Sequence, residues 1–142
     1  MNYSFLLVPI VSALLAQIIK MIINAIKGKF SWGDLNSYGG MPSSHAALVI
    51  SLAAMVGYFE GWNSSIFALT IILALIVIRD AGGFRRVLGY HAEELNNIIH
   101  TLNPTEGYKY AHLNEIIGHT PLQLFAGALL GIVVTIAYIL IF

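Results

Sequence analysis

Apolar residues gather into four runs along this 142-residue chain, at Phe5–Ile26, Ala46–Tyr58, Ile66–Ile78 and Leu122–Phe142. A bilayer core takes about 20 helical residues, with a range near 17–25. The first and fourth runs are long enough to span. The second and third hold 13 residues each and must borrow from their flanks, as in Ser43–Phe59. Short spans with polar shoulders suit helices whose ends line a cavity within protein. The start of the chain lacks the basic segment of a secretory signal, and no small-residue cleavage pattern follows its long apolar run, so it reads as a retained first helix.

Two connections are long. Gly28–Met41 is rich in Gly, Ser and aromatic residues and ends in Gly39-Gly40. Within Asp80–Thr120, the residues Phe84, Val87, Leu88, His91, Leu95, Ile98, Ile99 and Leu102 fall at helical spacing and predict an amphipathic helix. Gly82-Gly83 either breaks that helix from the third span or lies inside one continuous helix. Asn103-Pro104-Thr105-Glu106-Gly107 reads as a turn. The predicted fold is therefore all-α: a single domain over residues 1–142, a polytopic membrane bundle of about four spans plus an amphipathic interfacial helix. Gly127 and Gly131 place a small-xxx-small packing face on the last span.

Composition agrees. The chain is 58% hydrophobic and 10% charged, with mean hydropathy +0.79, against about 45–50% apolar and 25% charged in soluble domains. Seven Lys and Arg balance seven Asp and Glu, which gives no case for a nucleic-acid partner. Cysteine is absent, excluding disulfides, zinc–thiolate sites and iron–sulfur clusters. With four spans, both long connections lie on one side, and all seven Lys and Arg sit in or beside them. The positive-inside rule assigns that side to the cytoplasm, in a plasma-membrane protein.

Four polar clusters meet at this side. Gln17, Lys20, Asn24 and Lys27 share one face of the first helix. Lysines in spans face cavities or, near helix ends, snorkel to the interface; a four-residue polar stripe favours the cavity. Gly39-Gly40-Met41-Pro42-Ser43-Ser44-His45 leads directly into the second span. Ser43 or Ser44 can cap that helix, whose free N–H groups form an anion site, and His45 could donate a proton to a bound phosphate; a plain cap with an interfacial histidine is the alternative. Asp80 is followed by Arg85 and Arg86, which can contact lipid headgroups or grip phosphate in bidentate fashion, with Asp80 fixing their rotamers. Gly118-His119-Thr120-Pro121 opens the last span, Pro121 suiting a first helical turn. Together these describe a cationic pocket. One of His119 and His45 would attack phosphorus and the other protonate the leaving oxygen, while Lys and Arg neutralise the equatorial oxygens. The carboxylates are scattered and no His-x-x-x-His pattern appears, so no metal or other cofactor is expected.

On Gly39–His45, Asp80–Arg86, Gly118–Pro121 and the following Gly127-Ala128-Leu129-Leu130-Gly131, the chain resembles the divergent branch of the type 2 phosphatidic acid phosphatase superfamily, relatives of acid phosphatases and vanadium-dependent haloperoxidases. The parent group's motifs are Lys-x6-Arg-Pro, Pro-Ser-Gly-His and Ser-Arg-x5-His-x3-Asp. Lys20-x6-Lys27-Gly28 resembles the first, with Lys for Arg and Gly for Pro. Pro42-Ser43-Ser44-His45 resembles the second, with Ser44 for Gly. The third is split: Arg85-x5-His91 fits its first half but has Leu95 in place of Asp, and His119-x3-Gln123 fits its second half with Gln for Asp.

The resemblance implies a nucleophilic histidine in the third motif and a general-acid His45. His119, at the start of a span, is favoured over His91, which lies midway along the amphipathic helix. Lys20, Lys27, Ser43, Ser44, Arg85 and Arg86 would hold phosphate, supported by Asp80 and Gln123. Gln123 accepts a hydrogen bond but brings no charge, whereas a buried Asp both orients an imidazole and stabilises its charged form. The implied activity is metal-independent hydrolysis of a lipid phosphate through a phosphohistidine. The alternatives are a binding or transport protein that holds lipid phosphate or an anion without hydrolysis, and a structural membrane subunit. The expected partners are the membrane, a phosphorylated lipid and, for so small a bundle, a further copy of the chain to enclose the cavity.

Overall fold

The computed structural model describes residues 3–28, 40–102 and 112–142. They form α1 (Ser4–Ile26), α2 (Ser44–Phe59), α3 (Ser65–Arg79), a π-helical turn (Asp80–Phe84), α4 (Arg85–Thr101) and α5 (Pro121–Ile141). No strand occurs among the described residues. Among the described residues, three helices are long and apolar enough to cross a membrane: α1, α5 and the continuous helix Ser65–Thr101. The fourth apolar helix, α2, is shorter. The sequence left the Gly82-Gly83 junction open; the helix runs through it, because the π-turn adds a residue to the helical ladder instead of breaking it. The turn expected at Asn103–Gly107 and most of the Gly28–Met41 connection lie outside the described residues.

Local chemistry sets the helix starts. The Ser43 hydroxyl accepts from the Ala46 N–H at 3.4 Å, and that of Ser64 accepts from the Phe67 N–H at 3.1 Å. Thr120 and Gln123 form a capping box, with Pro121 in the first turn. Each device satisfies N–H groups that a helix start otherwise leaves unpaired.

At the centre lies α2, packed against α1, α3 and α5. Its buried face is made of small and mid-sized residues, Ala46, Ala47, Val49, Ala53, Met55 and Val56. Small side chains are needed because lipid tails are as apolar as leucine, so membrane helices associate through close backbone approach and interhelical hydrogen bonds. Both are present. Gly127 abuts the Ser43 carbonyl and Gly131 the Ala47 carbonyl, so the predicted small-residue face of α5 docks on α2. Halfway along, Ser12 Oγ donates to Ser51 Oγ at 3.0 Å, and Ser51 Oγ pairs with Thr135 Oγ1 at 2.9 Å, joining α1, α2 and α5. Leucines and isoleucines cover the outside, among them Leu14, Ile18, Leu69, Leu75 and Leu129.

The short α2 sets the depth of the chemistry. Sixteen residues make a helix about 24 Å long, less than the roughly 30 Å hydrocarbon core. Its start lies beside Lys20, whose stem passes over Gly40, six residues before the end of α1. The amphipathic α4 turns its apolar face outward, with Val87, Leu88, Leu95 and Ile98 exposed, and buries Gly89, Ala92 and Asn96.

Candidate functional site

Three backbone junctions bring the polar clusters together. The Ser43 N–H donates to the Gln123 carbonyl at 3.0 Å, tying the start of α2 to the first turn of α5. The His119 N–H donates to the Ala81 carbonyl at 2.9 Å, tying the residue before α5 to the π-turn. Gly40, with φ +93°, lets the incoming chain pass close to Lys20: a Cβ here would lie 3.0 Å from Lys20 Cδ, and a positive φ is strained for other residues.

His45 and His119 meet at this crossing. Their rings are edge to face with centroids 6.0 Å apart. His119 is buried, with 4% of its surface exposed. The Nδ1 atoms of both rings are buried and have no hydrogen-bond partner among the described residues. Two unpartnered buried polar atoms on facing rings are rare in native proteins and mark a place where a ligand or water completes the bonding. Burial, then the charges of His45, Lys20 and Arg85, push the His119 imidazole down to about pKa 4. It is therefore neutral at pH 7, the form in which a ring nitrogen can act as a nucleophile.

The cations divide into two groups. Lys20 is buried at 4% exposure and, with Arg85, is close enough to depress His119. Asp80 Oδ2 accepts from Arg85 Nε at 2.6 Å, a pair of i,i+5 spacing favoured by the π-turn, in which the Arg85 N–H bonds the Asp80 carbonyl. Of the two arginines, it is Arg85 that pairs with Asp80. Arg86 turns elsewhere: its Nε donates to the Tyr90 hydroxyl at 2.9 Å, with the guanidinium 5.7 Å from the ring centroid. Lys27 ends α1 on the exposed surface. Ser43 is fully buried as the α2 cap, and Ser44 begins that helix half-buried. His91 and Leu95 are exposed along α4.

Gln123 occupies the position where the parent motif has Asp, and the structure gives its side chain another task. Its Oε1 accepts from the Thr120 N–H at 3.0 Å, the return half of the capping box. It orders the helix start rather than the His119 ring.

Sequence reasoning missed Asn96. This side chain is buried at 4% exposure and clamps residues 112–115 to α4. Its Nδ2 donates to the Leu113 carbonyl at 3.0 Å and to Glu115 Oε1 at 2.8 Å, and its Oδ1 accepts from the Leu113 N–H at 3.1 Å. Its position opposite the apolar stripe of α4 was the available signal, and Asn97 beside it carries nearly the same one.

A family model described as the divergent PAP2 family matches residues 1–134. The chain is 36% identical over 143 residues to "Uncharacterized membrane protein YuiD" of Bacillus subtilis (strain 168), an alignment covering 92% of this chain and 90% of that protein. No solved structure matches.

Proposed function

Because the chain belongs to the divergent PAP2 family and is similar to a bacterial membrane protein, we propose that it is a metal-independent lipid phosphatase. The carrying observation is the pair of facing histidines, brought from two helix starts to 6.0 Å with both Nδ1 atoms buried and unpartnered. In this reading His119 is neutral and attacks phosphorus through Nε2. The P–O bond to the leaving group breaks, and His45 in its protonated form gives that oxygen its proton. Water then attacks the phosphohistidine, forming a new P–O bond as the N–P bond to His119 breaks, with His45 taking the water's proton; the products are an alcohol and inorganic phosphate, and His119 is free again. Lys20 and Arg85 neutralise the phosphoryl oxygens as charge shifts onto them.

A lipid substrate is supported by the surroundings. An apolar groove of about 660 Å³, lined by Ile78, Gly82, Phe84, Val87 and Leu124, runs beside the π-turn, and Gly82 borders the His119 carbonyl. A chain lying there would deliver its headgroup to the histidines. By the positive-inside argument the site opens to the cytoplasm of a plasma membrane, which suits phosphatidate or a phosphatidylglycerol phosphate of the inner leaflet.

The second reading, phosphate binding without hydrolysis, is favoured by one observation: Gln123 is committed to the capping box, and His119 Nδ1 has no carboxylate beside it. The deciding experiment is phosphate release from a panel of lipid phosphates in mixed micelles, with chelator present and vanadate as competitor. The proposal expects chelator-resistant, vanadate-sensitive release, abolished in His119→Ala and His45→Ala and retained in His91→Ala. Vanadate or lipid-phosphate binding without release from any substrate would replace the enzyme with the binding protein.

A further inference from the structure

His119 does not sit on a helix. It lies one residue before the end of an irregular strap, residues 112–120, which returns over α4 before α5 begins. An irregular segment keeps a reactive side chain in place only if its backbone polar groups are held, so the atoms that hold this strap bear on the chemistry.

Those atoms belong to α4 and the π-turn. At the far end the carboxamide of Asn96 both donates to and accepts from Leu113, and it donates to Glu115 Oε1. In the middle, the strap lies directly on the helix backbone: a Cβ at Gly89 would lie 2.5 Å from the Glu115 carbonyl oxygen, and one at Gly118 would lie 2.5 Å from Arg86 Cα. At the near end, the His119 N–H is bonded to the Ala81 carbonyl. The contacts thus form a line from Asn96 through Gly89 to Ala81, one buried face of α4 and the π-turn, ending at the reactive ring.

We propose that Asn96 is a positioning residue for His119: it clamps the strap to α4, and so holds the imidazole against His45. The role rests on the reading of His119 as the reactive group. It also gives α4 a second task beyond its lipid-facing apolar side, as the scaffold against which the nucleophile is set.

The test follows the His119 ring directly, so that it does not depend on activity. The full-length protein in detergent micelles is treated with diethyl pyrocarbonate, which modifies accessible neutral imidazoles, and modification is read at each histidine by peptide mass spectrometry. In the parent protein the exposed His91, His100 and His112 react fast and the buried His119 slowly. In Asn96→Ala the strap loses its clamp, and His119 modification rises about tenfold or more, the factor expected from losing one or two net hydrogen bonds. Gly89→Ala removes no hydrogen bond but pushes the strap from beneath, and it raises the same rate; it carries the test if Asn96→Ala does not fold.

Helix content by circular dichroism stays at the parent level in both. On any lipid phosphate the protein hydrolyses, both variants lower kcat with little change in KM. Unchanged His119 modification in either folded variant overturns the clamp. If the parent protein releases no phosphate, the labelling result stands alone, and the failure is then that of the phosphatase reading.

Discussion

Gly131→Ala tests the packing that holds the site, and the sign of its effect is the informative part. A Cβ at this position would lie 2.5 Å from the Ala47 carbonyl oxygen and 3.1 Å from the Ser51 nitrogen. A carbon–oxygen contact settles at about 3.3 Å or more, so α5 and α2 must part by roughly 0.8 Å at this point. The Ser51–Thr135 bond, now 2.9 Å, would stretch past the range of a hydrogen bond. An interhelical bond of this kind contributes about 0.6 to 1.7 kcal/mol.

A gap of 0.5–1 Å also forfeits about a quarter to a half of each dispersion contact it opens. Over the dozen or two atom pairs of the local interface, at about 0.1–0.2 kcal/mol each, that is about 1 kcal/mol. Against this stands helix propensity, where Ala is better than Gly by about 1 kcal/mol. The net expectation is a loss of about 1 kcal/mol. Thermal unfolding followed by circular dichroism in a mild detergent measures it, with Leu129→Ala on the outer face of α5 as a control changing stability by less than about 0.5 kcal/mol. If α5 did not touch α2 at Gly131, propensity alone would act and the variant would be more stable. A Gly131→Ala protein at least as stable as its parent therefore refutes the packing argument.

The remaining expectations concern the site. Gly127→Ala presses on the Ser43 carbonyl itself, next to His45; a displacement near 1 Å can lower turnover about 100-fold, read as phosphate release at saturating lipid. His119 takes up its proton near pH 4 in the folded protein against an ordinary 6.5, so the unfolded chain is protonated first on acidification. Stability is then full above pH 6.5, falls between 6.5 and 4 by up to about 3 kcal/mol, and levels off below; unfolding midpoints across that range should lose this slope in His119→Asn, and an unchanged slope would assign it to another group. Gln123→Ala should lower stability by about 0.5–1 kcal/mol through the lost cap while leaving His119 modification by diethyl pyrocarbonate at the parent rate; a large rate change would give Gln123 a role at the ring. Lys20→Met should weaken vanadate binding by tenfold or more, in line with about 1.5–3 kcal/mol for a charge-assisted hydrogen bond, whereas Lys27→Met, at the exposed end of α1, should leave it unchanged.

Apolar run lengths were enough to mark the helices, because a run of 20 leucine-like residues has few other ways to satisfy its backbone in a membrane. The convergence of His45 with His119 was also legible. Each histidine follows a turn-forming segment and stands at the start of an apolar helix, and helices with starts on one side bring those starts together. Residue type alone could not sort the cations. Lys20 and Lys27 differ by two helical turns, and only the position of Gly40 and the start of α2 shows that the first is enclosed and the second exposed. Arg85 and Arg86 are neighbours in sequence, but the extra residue of the π-turn directs one toward Asp80 and the next toward Tyr90. A π-turn has no sequence signature comparable to a capping box, so that division shows only in the fold.

The same reasoning bears on Gln123. Three residues after a Thr cap, it fits the capping-box pattern as well as it fits the degenerate phosphatase motif, and the two readings demand opposite directions of its side chain. Its Oε1 reaches back to the Thr120 N–H, which orders the backbone immediately after His119. With Gln123 exchanged for the Asp of the parent motif, the placement of the ring rests on backbone contacts on either side of it, the Ala81 carbonyl before and the capped Thr120 after. What the exchange removes is the charge that would stabilise an imidazolium. A site built this way keeps its geometry and has lower tolerance for a protonated His119, and burial with the nearby His45, Lys20 and Arg85 already holds that ring neutral at neutral pH. In the proposed phosphatase, a phosphoryl dianion bound between those cations would offset their repulsion of positive charge, so the substrate itself would supply the compensation that Asp provides in the parent motif.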